Sequence, residues 1–267
     1  MTTGVTTRTI MIDGEVVAPG DDARPLLDDG LVRGDGVFEG MRLYGRRPRT
    51  PEAHLDRLAL SARTVGLDVD VDVLRRELAE FCAATVQEDC GVRLMVTRGG
   101  QRIWREEPLP PERDSITVLP VPHRVTPLLA HAKTLSYAPN MQALRLAKAA
   151  GCDDALFIRA DDRVVLEGPV TSFAWLEGDT LVFPPLTVGV LDSITRRLAR
   201  DAVPTREREM SVDELAGADG ALLMSTVIES VAVREVKDVA AFDPALPRLQ
   251  EIRRAIREAS AASAVPV

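Results

Sequence analysis

Histidine, lysine and cysteine are all scarce in this chain, each occurring three times in 267 residues. His54, His123 and His131 are scattered and form no HxxxH pair, which argues against a histidine-rich zinc site and against a Ser-His-Asp triad. Cys82, Cys90 and Cys152 are odd in number and lack metal-ligand spacing, so no metal is expected and a reduced, cytosolic compartment is the simplest setting. Long apolar runs are missing as well: none approaches the ~20 residues of a membrane span. The first residues carry no basic segment followed by an apolar stretch, so no secretory signal is expected. A basic excess is also lacking. The net charge of −8 and pI near 5.1 argue against the basic face that a nucleic-acid partner needs.

What is present is 45% apolar and 28% charged residues without low-complexity tracts, enough for a sizeable core and for two smaller domains. Of the 33 basic residues only Lys133, Lys148 and Lys237 are lysine, leaving 33 − 3 = 30 arginines. Arginine keeps its proton at any ordinary pH, whereas a partly desolvated lysine can act as an amine nucleophile. A chain this poor in lysine draws attention to each one. Lys133 follows Leu128-Leu129-Ala130 at an expected strand edge, while Lys148 and Lys237 fall on polar positions.

Residues 9–17 alternate around Asp13-Gly14 and predict a tight hairpin. Thr50-Pro51-Glu52 opens a helix ending near Gly66, and a second carries Val73, Leu74, Leu78 and Phe81 on one face. Residues 91–98 and 115–119 read as strands around an Arg-, Glu- and Pro-rich loop over 99–114. The stretch 120–127 (PVPHRVTP) reads as a linker between a smaller N-terminal α/β domain, 1–119, and a larger C-terminal domain, 128–267. In the latter a helix is expected over 140–151, strands over 155–159, 163–167, 172–176 and 180–183, and a helix from Asp192. A strand pair (221–225, 230–236) and a helix over 248–262 follow. The fold class is α+β.

Several motifs then occur in one order. Lys133-Thr134-Leu135-Ser136, a helix, and Gly151-Cys152-Asp153-Asp154-Ala155-Leu156 resemble the Schiff-base segment of the class IV aminotransferases, the fold-type IV pyridoxal-phosphate enzymes. Gly34-Asp35-Gly36-Val37-Phe38-Glu39, His54-Leu55-Asp56-Arg57-Leu58, Val164-Val165-Leu166-Glu167-Gly168, Gly189-Val190-Leu191-Asp192-Ser193-Ile194-Thr195-Arg196 and Ser225-Thr226 with Glu229 are similar to further segments of that family. The resemblance implies two α/β domains with the cofactor site between them, a homodimer, and pyridoxal 5′-phosphate as cofactor. It makes Lys133 the Schiff-base and proton-transfer residue and Glu167 the partner of the pyridine nitrogen. It makes Arg57, Ile194, Thr195, Ser225 and Thr226 phosphate contacts, and brings Tyr137 to the phenolic oxygen. Ser172 and Ser193 stand where the family commonly has asparagine and glycine.

The substrate signals are mixed. Phe38, which would line the substrate pocket, lies in Phe38-Glu39-Gly40-Met41-Arg42, a run most like that of branched-chain enzymes. Thr97-Arg98-Gly99 followed by Arg102 looks like the D-amino acid aminotransferases and the aminodeoxychorismate lyases. In the former an arginine traps the substrate carboxylate, with a histidine two residues on where this chain has Trp104. Thr226 and Val227 would face the substrate, and Ser225-Thr226 favours a transaminase over the lyase. The resemblance leans to amino transfer between D-amino acids, extending to (R)-amines, and 2-oxo acids. A branched-chain L-amino acid transaminase is the alternative and aminodeoxychorismate lyase the second alternative.

Overall fold

The computed structural model describes residues 10–17 and 28–267. It divides into two compact units. The described residues of Met1–Pro110, with Ala132–Ser136 and Ser263–Val267, form the first; Pro111–His131 and Tyr137–Ala262 form the second.

The first unit comprises β1 (Ile10–Ile12), β2 (Glu15–Val17), α1 (Asp29–Arg33), β3 (Gly36–Tyr44), β4 (Arg47–Pro48), α2 (Pro51–Thr64), α3 (Val71–Ala84), β5 (Gly91–Thr97) and β6 (Arg102–Glu107). β1 and β2 make the expected hairpin, turned by Asp13 (φ 52°) and Gly14 (φ 83°), the left-handed pair that a two-residue loop requires; Thr9 lies outside the described residues. Among the described residues the sheet runs β2-β1-β6-β5-β3-β4. Val37, Met41, Leu43, Val92, Leu94, Val96 and Trp104 face one way and meet Leu55, Leu58, Leu74, Leu78 and Phe81 of α2 and α3. β6 corrects the loop expected over 99–114. Its charges disguise it, but they are paired: Arg102 with Glu77, Glu107 with Arg93, while Glu106 accepts the N–H groups of Val86 and Gln87.

The second unit comprises β7 (Ser115–His123), α4 (Ala138–Ala149), β8 (Asp154–Arg159), β9 (Ser172–Glu177), β10 (Thr180–Phe183), α5 (Ile194–Ala202), β11 (Thr205–Glu207), β12 (Gly220–Ser225), β13 (Glu229–Val236), β14 (Ala240–Ala241) and α6 (Pro247–Ala262). Its sheet runs β11-β10-β9-β12-β13-β7-β8 among the described residues, with β14 beside β13. Residues 120–123, expected in a linker, are strand: β7 continues to His123 and pairs in parallel with β8. Ile116 and Val118 are buried in this unit's core, which draws the whole of β7 with them. The segment 163–167, expected as a strand, makes only isolated bridges, Val165 to Ile158 and Val164 to Ser211. The acidic pair ahead of Ala155 is structural: Asp153 accepts the Thr117 N–H and binds Arg113 and Arg234, and burial pushes the Asp154 carboxyl up to about 6.

Candidate active site

The segment Ala132–Ser136 belongs to the first unit, not to the C-terminal domain in which Lys133 was expected. It lies along β3. Phe38 N–H donates to the Lys133 carbonyl (3.0 Å), Val37 bridges Thr134, and Leu135 N–H donates to the Gly36 carbonyl (2.9 Å). Lys133 N–H donates to Ser61 Oγ (3.0 Å), which donates in turn to the Arg57 carbonyl (2.9 Å). These bonds fix the backbone and set the amine 4.4 Å from the centre of the Phe38 ring. That ring is 3% exposed and also carries the Arg93 guanidinium at 4.8 Å. The amine thus stands against an aromatic face, whose quadrupole attracts a cation.

Arg57 belongs to a buried group of three. Glu39, at 0% exposure, accepts its Nε and Nη2 through separate oxygens, both at 2.7 Å, and His54 Nδ1 lies 2.8 Å from Oε2. Burial pushes the Glu39 carboxyl up, but the Arg57 charge and the bonds from Arg57 and His54 outweigh it and hold it at about 2. Burial dominates at His54 and lowers its pKa, so the ring is neutral near pH 7 and its Nδ1 carries the proton that the carboxylate accepts. The Glu39 bonds take the Nε side of the guanidinium and orient Nη1.

The two other arginines read from the sequence are engaged inside the same unit. Arg98 donates to both oxygens of Asp35 and to the carbonyls of Val65 and Gly66. Arg102 Nε donates to Glu77 Oε1 (2.8 Å), and Trp104 Nε1 donates to the other oxygen of that buried carboxylate (2.9 Å). Arg93 was not singled out in the sequence. An arginine at the centre of the otherwise apolar β5 was the available signal. It pairs across β6 with Arg105, and Glu107 binds both.

In the second unit Glu167 Oε1 accepts the Leu191 N–H (3.1 Å), which aims the carboxylate. Gly189 makes this turn possible: its φ is +89°, and a Cβ there would lie 2.6 Å from Val125 Cγ1. Ser193 caps α5, its hydroxyl accepting the Arg196 N–H and its carbonyl the Arg197 N–H. The helical ladder does not use the N–H groups of Ile194 and Thr195, which head the positive end of the helix dipole. Ser193 has φ −71°, so the glycine usual there is not required. Arg196 turns away and pairs with Glu207. Between Ser225 and Glu229 the chain turns with Thr226 buried, Val227 half-buried, and Ser225 Oγ accepting the Ile228 N–H. Tyr137 donates its one hydroxyl proton to the Pro169 carbonyl (2.8 Å), which also accepts from Asn140 (2.7 Å). With that proton so used, the hydroxyl oxygen can still accept a hydrogen bond from a further group. The Pro169 bonds anchor the loop after Glu167 in which Ser172 stands in place of the commoner asparagine; the Ser172 hydroxyl is buried without a hydrogen bond among the described residues.

The first unit offers an amine on an aromatic ring, and the second a carboxylate held by a main-chain N–H and a capped helix N-terminus; each is a type of group that pyridoxal phosphate requires. Residues 36–236 match the amino-transferase class IV family. A bifunctional aminodeoxychorismate lyase / D-amino acid transaminase of Mycobacterium tuberculosis is 31% identical over 256 residues, covering 82% of this chain and 87% of that protein. A putative branched-chain-amino-acid aminotransferase of Methanocaldococcus jannaschii is 29% identical over 254 residues, covering 85% of this chain and 87% of that one. A solved hypothetical aminotransferase from Mycobacterium tuberculosis, in its pyridoxal-phosphate-bound form, superposes with a TM-score of 0.85 at 27% identity, covering 96% of this chain and 99% of that one. The same enzyme has been solved with α-ketoglutarate and pyridoxamine phosphate. The fold is therefore that of the fold-type IV pyridoxal-phosphate enzymes. This chain belongs to the class IV aminotransferases and is a pyridoxal-phosphate-dependent enzyme. Among its described residues no helix is long and apolar enough to cross a membrane.

Proposed function

We propose that the enzyme transfers the amino group of a D-amino acid to a 2-oxo acid, with (R)-amines as slower donors, and that Lys133 carries the chemistry. The observation behind the role of Lys133 is its amine, seated on the Phe38 ring by three main-chain bonds. Pyridoxal phosphate, when bound, supplies an aldehyde for that amine and a ring that draws electrons from the substrate α-carbon. Lys133 Nζ binds the cofactor and afterwards moves the α-proton. Glu167 holds a proton at the ring nitrogen. Arg57 Nη1, the N–H groups of Ile194 and Thr195, Ser225 and Thr226 hold the phosphate, while Phe38, Thr226 and Val227 line the substrate side. The relatives with D-amino acid or D-alanine transaminase activity support the choice of donor.

The alternative is a branched-chain L-amino acid transaminase, and one observation favours it. Arg98 and Arg102, the arginines of the D-amino acid pattern, are bonded to Asp35 and Glu77, whereas Arg93 stands over Phe38. Arg93 and Arg105, directly paired on one sheet face with Arg42 two positions along from the Arg93 row, also suit the second carboxylate of a dicarboxylic acceptor. Aminodeoxychorismate lyase is the third reading. A homodimer in a reducing cytoplasm, with its three free buried cysteines intact, completes the proposal.

Single-turnover half-reactions decide the donor. D-alanine is expected to bleach the cofactor absorbance and L-leucine not; the reverse result replaces the proposal by the branched-chain reading. Arg102→Ala is expected to raise KM for D-alanine about tenfold while leaving simple (R)-amines unchanged. Equal effects on both would return Arg102 to a purely structural role with Glu77.

A further inference from the structure

We propose that Arg257, on the C-terminal helix α6, is a positioning residue for the cofactor phosphate, acting through Glu229 on the turn that presents Thr226. The inference rests on the assignment of Thr226 to the phosphate.

β12 and β13 close on the pair Ser225 and Glu229, with three residues between them. Glu229 has φ +59°, a left-handed conformation that any residue with a Cβ adopts at a cost and keeps only where its surroundings impose it. Contacts on both sides of the turn support it. Ser225 Oγ accepts the Ile228 N–H (3.3 Å) from inside the turn, and Arg257 Nε donates to Glu229 Oε2 (3.2 Å) from outside. The carboxylate is only 7% exposed and needs a compensating charge, while the arginine side chain, 57% exposed, reaches it from the solvent side. Helix α6 fixes that reach, because Leu249, Ile252 and Ile256 are buried in the core beneath Ala174, Leu222 and Ala232. Arg253, one turn earlier, is committed to the Asp114 carbonyl and Gln250 and is repelled by Arg257.

Without Arg257 the buried carboxylate loses this compensation. Rotation of Glu229 out of the left-handed region brings it towards water, and the same rotation carries the turn and Thr226 with it. The C-terminal helix thus sets the shape of a cofactor contact more than 25 residues earlier in the chain, roughly the 28 positions from Glu229 to Arg257.

Titration of the cofactor-free protein with pyridoxal phosphate, followed by absorbance and by the ³¹P resonance of the bound phosphate, tests this. Arg257→Ala is expected to raise Kd about tenfold and to move the ³¹P resonance, with little change in circular dichroism or Tm. Arg257→Lys should recover part of the affinity, and Thr226→Val should weaken binding at least as much as Arg257→Ala. If Thr226→Val weakens binding while Arg257→Ala keeps the parent Kd and resonance, the role of Arg257 is overturned and the phosphate assignment stands. If Thr226→Val binds as the parent does, the assignment fails and the proposal fails with it.

Discussion

Lys133→Ala is expected to give a folded protein that stays colourless with pyridoxal phosphate and transaminates about ten-thousand-fold more slowly, or worse. The fold should survive because the contacts of this residue with β3 and α2 are made by its backbone: its N–H to Ser61 Oγ and its carbonyl to Phe38 N–H. The substitution removes the amine over the Phe38 ring. Borohydride reduction of the loaded parent enzyme should place the cofactor mass on the peptide containing Lys133 and on neither of the other lysine peptides. Lys148 lies on an exposed helix position and Lys237 donates to the Ala150 carbonyl, so neither has a comparable setting. A yellow Lys133→Ala protein, or label on another lysine, would sink the assignment.

The second large effect lies at Glu39. Glu39→Gln removes the charge that compensates Arg57 in a site without solvent, and breaking a buried pair from one side costs about 3 kcal/mol or more. That is a substantial share of the ~5–15 kcal/mol by which a domain is usually stable. Urea denaturation at pH 7 should show the loss as a lower midpoint with an unchanged slope. Cofactor affinity should fall as well, because the amide can accept only one of the two bonds that orient Arg57 and presents an NH2 group in place of the other oxygen.

The pH dependence has a definite sign. Glu39 has a folded pKa of about 2 against an ordinary 4.5, so its contribution is complete above about 4.5 and is lost as the pH falls towards 2. His54 is also lowered in the folded state, so it too favours the folded form at higher pH, with loss beginning as the pH drops below 6.5. Acid unfolding of the parent should therefore be steeper than that of Glu39→Gln. Parallel curves for the two proteins would show that the group contributes nothing to acid lability.

Local features were legible wherever the physics is local. Asp13-Gly14 announces its turn, Pro51 its helix start, and the apolar spacing of Leu74, Leu78 and Phe81 its buried face. β6 was not legible, because its charged residues are neutralised by Glu77 and Arg93, partners 14 or more positions away. The segment 120–123 was hidden differently: two prolines in four residues read as a linker, yet the partner strand β8 accommodates them in register. Arg98 and Arg102 carried the right residue type for a carboxylate, and only the fold reveals the carboxylates each binds within the chain, Asp35 and Glu77.

By itself the sequence determined the family and the cofactor chemistry. A lysine rare among arginines, a glutamate before glycine and a capped helix start are covalent and short-range facts. Tertiary structure alone decided what each charged group binds. It gave Arg57 to Glu39 and His54, spent the Tyr137 proton on Pro169, and set Glu229 in a left-handed turn facing Arg257. Charge pairing depends on distances across the folded chain, and no spacing along the sequence encodes them.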